Sequence, residues 1–268
     1  MTENEKQYHG YFNTPLLWTG KNSLELEQFK IPNSNFSNLN IRVEEGLRLG
    51  KLVEQFVFFE LNQCKNIDFL AENLQIQKDK TTLGEIDCIL RHHNTLYHIE
   101  IVYKFYLYDP KVGQTEFEHW IGPNRKDSFI EKINKLKHKQ LPLLYKQETQ
   151  NQLEALGIST KQLQQRVLFK AQLFLPLTAL KDVFKELNPD CVTGFYISYS
   201  EVHLLSTCKF FIPKKVNWLC DIETQIPWLS FSNFLLRLEP LIAKQIAPLC
   251  WIKYPNGITK KCFVVWWT

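Results

Sequence analysis

The residues with the most evident chemical potential are Asp87, in the run Gly84-Glu-Ile-Asp-Cys-Ile-Leu-Arg91, and Glu100 with Lys104, in Leu96-Tyr-His-Ile-Glu-Ile-Val-Tyr-Lys-Phe-Tyr-Leu107. Metal-assisted phosphodiester cleavage requires carboxylates held a few ångströms apart to grip Mg²⁺, and a cation beside them to assist the attacking water or the developing charge. Side chains repeat every two residues along a strand. Asp87 therefore leaves the face formed by Ile86, Cys88 and Leu90, whereas His98, Glu100, Val102 and Lys104 share a face. If the two runs pair so that Asp87 meets Glu100, acid and lysine converge on one side of a sheet.

The elements that must position these residues are legible in the periodicity. Leu74-Gln-Ile-Gln77, Gly84–Arg91 and Leu96–Leu107 read as strands, the last dense in β-branched and aromatic residues. The polar link Arg91-His-His-Asn-Thr95 predicts an antiparallel hairpin, with His92 and His93 as solvated turn residues. Val43 to about Leu61, apolar and free of proline, predicts a mostly buried helix. Ser128 and Glu131 have capping-box spacing, so Trp120-Ile-Gly-Pro-Asn-Arg-Lys-Asp-Ser128 is expected to turn into a helix striped by Phe129, Ile130, Ile133 and Leu136. A Gln-rich stretch over 147–165, helical in parts, leads to a fourth strand at Arg166–Phe174. The expected order is α-β-β-β-α-β.

Gly84-Glu-Ile-Asp87 followed by Ile99-Glu-Ile-Val-Tyr-Lys104 resembles the PD-(D/E)XK nuclease superfamily, whose sites pair a strand aspartate with a Glu-x-Lys element. Leu49-Gly-Lys-Leu-Val-Glu54 is similar to the glutamate-bearing first helix of that superfamily. A closer resemblance is to an uncharacterised bacterial family, domain of unknown function 1853. It runs through Gly84–Asp87, Glu100–Leu107 and Trp120-Ile-Gly-Pro-Asn-Arg-Lys-Asp127, and reaches Gly194-Phe-Tyr and Phe263-Val-Val-Trp-Trp.

The resemblance implies an α/β, restriction-endonuclease-like core with a mixed sheet. It also implies a Mg²⁺ (or Mn²⁺) site built from Asp87, Glu100 and the Ile101 carbonyl. Glu54 would complete the network and Lys104 would orient the water. In this chain Val102 takes the usual lysine position, and Lys104 stands ~6.6 Å further along the same face. Lys104 reaching back, Lys51 or Lys126 substituting, and metal binding without cleavage all stay open.

Seven basic residues between Arg125 and Lys146, against Asp127 and Glu131, form the main charge asymmetry. Lys51, Asn124, Arg125, Lys126, Lys132, Lys135 and Lys139 are the candidates for holding nucleic-acid phosphates, Asn124 and Arg125 at the start of the following helix. An ordinary solvated helix face has the same composition. Gln140 is placed to reach a substrate or the Glu54 carboxylate.

The 268 residues, 44% of them hydrophobic, suffice for one large domain over 1–268, with a nuclease-like core at about 41–177. An aromatic-rich α+β extension follows at about 178–268, with a helix at 178–187 and strands at Gly194–Ser198, His203–Ile212 and Cys262–Trp267. Residues 1–40, turn-rich around Pro32–Phe36, read as an irregular arm packed through Phe12, Leu16, Leu17 and Trp18. A net charge of +4 is too small to declare a partner. No apolar run approaches the ~20 residues a bilayer crossing requires, and no signal peptide is evident, so no membrane and a cytoplasmic address are expected. Seven scattered cysteines without Cys-x-x-Cys spacing predict buried thiols. The function expected is a metal-dependent nuclease on DNA or another nucleic acid; the rival is an inactive module of the same fold that binds nucleic acid or a protein.

Overall fold

The computed structural model describes residues 1–32, 39–40, 43–44, 46–178 and 183–267. The fold is α/β, with helices and an open, mixed, multi-strand sheet. Its residues gather into two compact units that are discontinuous in sequence: Leu16–Tyr103 with Glu131–Lys170, and Met1–Pro15 with Lys104–Ile130 and Ala171–Thr268.

In the unit that holds Asp87 and Glu100, strands β1 (Ile67–Lys78), β2 (Thr81–His92) and β3 (from Thr95) pair antiparallel in order. The turn is confined to His93-Asn94, with His93 at φ 53°; His92, expected in the turn, is instead the last residue of β2 and pairs with Thr95. The first half of β5 (Leu163–Pro176) carries the arm on one edge, where Phe29 N–H donates to Val167 O at 2.8 Å and Leu17 N–H to Phe169 O at 2.9 Å. Helix α2 begins at Leu49, not near Val43, and runs to Asn62. Gly46 explains the late start, because its φ of +72° is not helical. Phe58 of α2 meets Phe69 of β1 edge to face. Helix α3 (Phe129–Lys135) continues into a π turn at Leu136–Gln140, then a 3-10 turn through Pro142, then α4 (Gln147–Ala155). Leu143, Leu144 and Leu153 pack there on Ile76, Ile86 and Ile89 of the hairpin. The expected α-β-β-β-α-β order is kept, with the two-residue strand β4 (Trp120–Ile121) and α4 added.

The second unit opens with α1 (Glu3–Asn13), where an irregular arm was expected. Thr2 accepts from Glu5 N–H and Glu5 reaches back to Thr2 N–H, a capping box. Strands β5, β6 (Val192–Ser198) and β9 (Thr259–Val265) run parallel, and β8 (Leu249–Lys253) and β7 (Lys209–Phe211) follow antiparallel. The strand expected over His203–Ile212 is reduced to β7. Tyr199–Leu205 form a 3-10 helix instead, started by Ser198 accepting from Ser200 N–H. Of the helix expected at 178–187, residues 179–182 lie outside the described residues, and Val183–Leu187 are not helical. The turn cluster at Pro32–Phe36 falls, after Pro32, outside them as well.

Helix α5 (Phe231–Ala243) packs Phe234 and Leu238 onto this sheet, Phe234 stacking on Phe210 at 4.0 Å. Trp218, Trp251 and Trp267 are buried, so these aromatics are core material. All seven cysteines are free thiols. No helix among the described residues is long and apolar enough to cross a membrane.

Buried in the same unit, Lys261 donates to Gln172 Oε1 and Trp218 O, both at 3.0 Å. Burial lowers its amine to about 8, against opposing charge from Asp221 and Cys220. An unfolded lysine keeps its proton to about 10.5, so between these values the unfolded state binds more protons and stability rises with pH. Urea unfolding of the wild type is expected to show a rise of about 3 kcal/mol from pH 8 to 10.5 relative to Lys261→Met. Parallel pH curves for the two proteins would refute this.

Candidate metal centre

Pairing of β2 with β3 runs from His92↔Thr95 to Cys88↔Ile99, and one further step of that register sets Asp87 against Glu100. At that step Asp87 Oδ2 accepts from the Ile101 N–H at 2.8 Å. Asp87 is 8% exposed and Glu100 is fully buried. The two carboxylates therefore meet as period-two alternation led one to expect, but Lys104, expected to converge with them, does not join them. Glu54 approaches from α2 with its side chain 13% exposed.

Burial pushes the Asp87 carboxyl up to about 7, the charge of Glu100 adding to it, while the Ile101 N–H, Lys132 and Lys51 oppose. Burial likewise raises Glu100 to about 8; Lys132 and Lys135 oppose and Glu54 and Glu85 reinforce. Glu54 is raised chiefly by burial, against its hydrogen bond from Lys51. These carboxylates are close enough to feel one another in a dry setting, an arrangement that a cation relieves.

The groups around them sort by charge. Lys51 Nζ donates to Glu54 Oε2 at 2.7 Å, Glu85 Oε1 at 2.5 Å and Asn73 Oδ1 at 3.0 Å. Burial alone would lower the Lys51 amine, but its bonds to Glu54 and Glu85 outweigh that and raise it. Glu100 is held by neutral donors: Gln140 Nε2 donates to Oε2, and His98 Nε2 lies 3.1 Å from Oε1. Lys132 Nζ reaches Glu100 through Gln140, donating to its Oε1 at 2.7 Å. The π turn ending at Gln140, where Leu141 N–H bonds back to Leu136 O, shapes this helix end. Burial lowers His98 to about 4, so its imidazole is neutral at neutral pH.

The other candidates have partners elsewhere. Lys104 Nζ is paired with Asp127 Oδ2 at 2.5 Å, and these two belong to the other compact unit. Val102, at the position between Glu100 and Lys104, is buried. Arg125 bonds the buried Asp109 at 2.9 Å and lies over the Trp267 ring, and Trp267 Nε1 donates to Pro123 O. Asn124 Oδ1 accepts from Ala247 N–H at 2.8 Å. The Trp120–Asp127 segment thus ties its own unit together. Lys126, Lys135 and Lys139 are exposed.

Glu85, His98 and Gln165 are site residues that sequence reasoning did not select. Glu85 and His98 each stand two residues before a chosen carboxylate, on its strand face; nothing local marks Gln165. Among the described residues no three His, Cys, Asp or Glu side chains form a ready-made metal-binding group. The oxygen donors that come together are the two carboxylates, Asp87 and Glu100, beside the Ile101 peptide.

No curated protein and no solved structure matches the chain. A family model does: over residues 25–263, which include every residue of this centre, the chain matches Domain of unknown function (DUF1853), and it belongs to that family.

Proposed function

We propose that this chain is a divalent-metal-dependent phosphodiester hydrolase acting on nucleic acid, with the fold of the PD-(D/E)XK nucleases. The observation that carries the reading is the Asp87–Glu100 pair: two buried carboxylates on adjacent strands whose direct partners are a peptide N–H, an amide and an imidazole. Burial disfavours the charge on both, and a bound cation would displace their protons and draw both into the ionised form. The donor set suits Mg²⁺ or Mn²⁺, because carboxylates and the Ile101 carbonyl are hard oxygen ligands. When bound, such an ion supplies Lewis-acid activation of water and phosphate.

The chain's own residues divide the remaining work. Lys51 fixes Glu54 and Glu85 at the rim, and Lys132 holds Gln140 against Glu100. The exposed amines of Lys135 and Lys139, on the helix that delivers Gln140, attract the phosphate backbone.

A second reading, a module that binds without cutting, is favoured by one observation: Lys104, the lysine nearest in sequence to the expected position, is held by Asp127. Incubating the chain with labelled single- and double-stranded DNA and RNA, with Mn²⁺ or with chelator, separates the two. Metal-dependent products support the hydrolase, and salt-sensitive binding without products supports the module. In either case Lys135→Ala with Lys139→Ala is expected to reduce the slope of log K against log salt by about 2. An unchanged slope removes these lysines from the interface.

A further inference from the structure

The hydrogen bonds behind Glu100 fix the proton on a buried histidine. Leu141 O is a carbonyl and can only accept, so the Gln165 atom 2.6 Å from it is the amide nitrogen, Nε2. That same nitrogen lies 3.0 Å from His98 Nδ1. An amide nitrogen only donates, so Nδ1 must be the accepting, unprotonated ring nitrogen. The proton therefore resides on Nε2, the atom 3.1 Å from Glu100 Oε1. On the other side Lys132 can only donate, which identifies the Gln140 atom it meets as Oε1 and leaves Gln140 Nε2 to donate to Glu100 Oε2. Each oxygen of Glu100 thus receives one neutral N–H and keeps a lone pair for another partner.

We propose that His98 is a positioning residue: locked by Gln165 as the Nε2–H tautomer, it aims its N–H at Glu100 Oε1 and fixes the orientation in which that side chain would meet a divalent cation. This rests on the reading of Glu100 as a metal ligand. His98 lies in the strand two residues before Glu100 and is fully buried, so the ring has a fixed place from which to aim its N–H. A neutral donor holds the carboxylate without competing for its charge, unlike a lysine in the same place. A partner behind a ligand sets both its orientation and its basicity.

The test uses the full chain labelled with ¹⁵N-histidine, together with calorimetric titration of Mn²⁺. Nitrogen shifts of His98 are expected to show Nε2 protonated and Nδ1 bare. His98→Gln offers an amide N–H toward Glu100 and an oxygen toward Gln165, and is expected to stay within about threefold of wild-type Mn²⁺ affinity. His98→Leu offers neither, and is expected to lose about 10–100-fold. If His98→Leu does not fold, Gln165→Met serves instead, since it leaves the ring in place but releases the tautomer; a shift toward Nδ1–H with weaker Mn²⁺ binding is expected. An Nδ1–H tautomer in the wild type overturns the inference whatever the metal does, as does unchanged affinity in His98→Leu or Gln165→Met. A wild type that takes up no Mn²⁺ overturns the metal reading instead, and the tautomer alone then decides whether His98 positions Glu100.

Discussion

Replacing Asp87 with asparagine is expected to abolish metal-dependent turnover while leaving the chain folded. The two side chains are nearly isosteric, and asparagine retains an oxygen that can accept the Ile101 N–H, bonded at 2.8 Å in the native strand pair. Packing around the site is therefore undisturbed, and a carboxyl whose anion burial already disfavours gives way to a neutral amide. What is lost is the anionic oxygen that a hard cation requires. The effect should exceed the ~10–100-fold that removal of a mere supporting partner costs. Asp87→Asn with full turnover would exclude Asp87 from the chemistry, and an unfolded Asp87→Asn would make its role architectural. Circular dichroism beside the activity assay separates these outcomes.

A large loss of stability is expected at Gly194→Ala. Gly194 stands opposite Lys261 in the parallel pairing of β6 and β9. A Cβ built on it would lie 2.1 Å from Lys261 O, with the Phe174 ring only 3.0 Å away. The obstructing atom is backbone, and it belongs to a strand fixed on its other side by five residue pairs with β8, from Leu249↔Phe263 to Lys253↔Thr259. Neither strand can yield without breaking ladder hydrogen bonds. The cost should reach about 3 kcal/mol or more, the upper range for overpacking, read as a lowered urea midpoint at unchanged slope. A change within about 0.5 kcal/mol, ordinary for a surface site, would show that the sheet deforms more easily than its packing suggests.

How much of this was legible in the sequence depended on whether the cause was local. The hairpin was, because alternation and a short polar link are properties of consecutive residues, and from them Asp87 and Glu100 could be set face to face. Glu54 was reached through the resemblance of its helix to a family element rather than from the helix pattern itself. Helix α1 carried a signal in Thr2-x-x-Glu5 that its polar composition obscured, and Pro240 inside α5 argued against a helix that nevertheless forms. The apolar residues of His203–Ile212 have strand character, but Ser198 starts a 3-10 helix, Tyr199–Leu205, that takes in the first three residues of the run.

Partners distant in sequence were not legible at all. Nothing near Lys104 announces Asp127, nothing near Arg125 announces Trp267, and the Gln165–His98 contact spans 67 positions. The candidates for phosphate binding divide on the same ground. Asn124 and Arg125 have protein partners that only the fold reveals, whereas Lys126, Lys135 and Lys139 remain exposed to solvent.

Everything proposed for the site depends on Asp87 and Glu100 forming one cation-binding pair. Calorimetric titration of Mn²⁺ into the wild type, Asp87→Asn and Glu100→Gln addresses this most directly. Saturable binding by the wild type, lost in both variants while each retains its fold, is the predicted result. Equal binding by all three proteins, or none by the wild type, would contradict it.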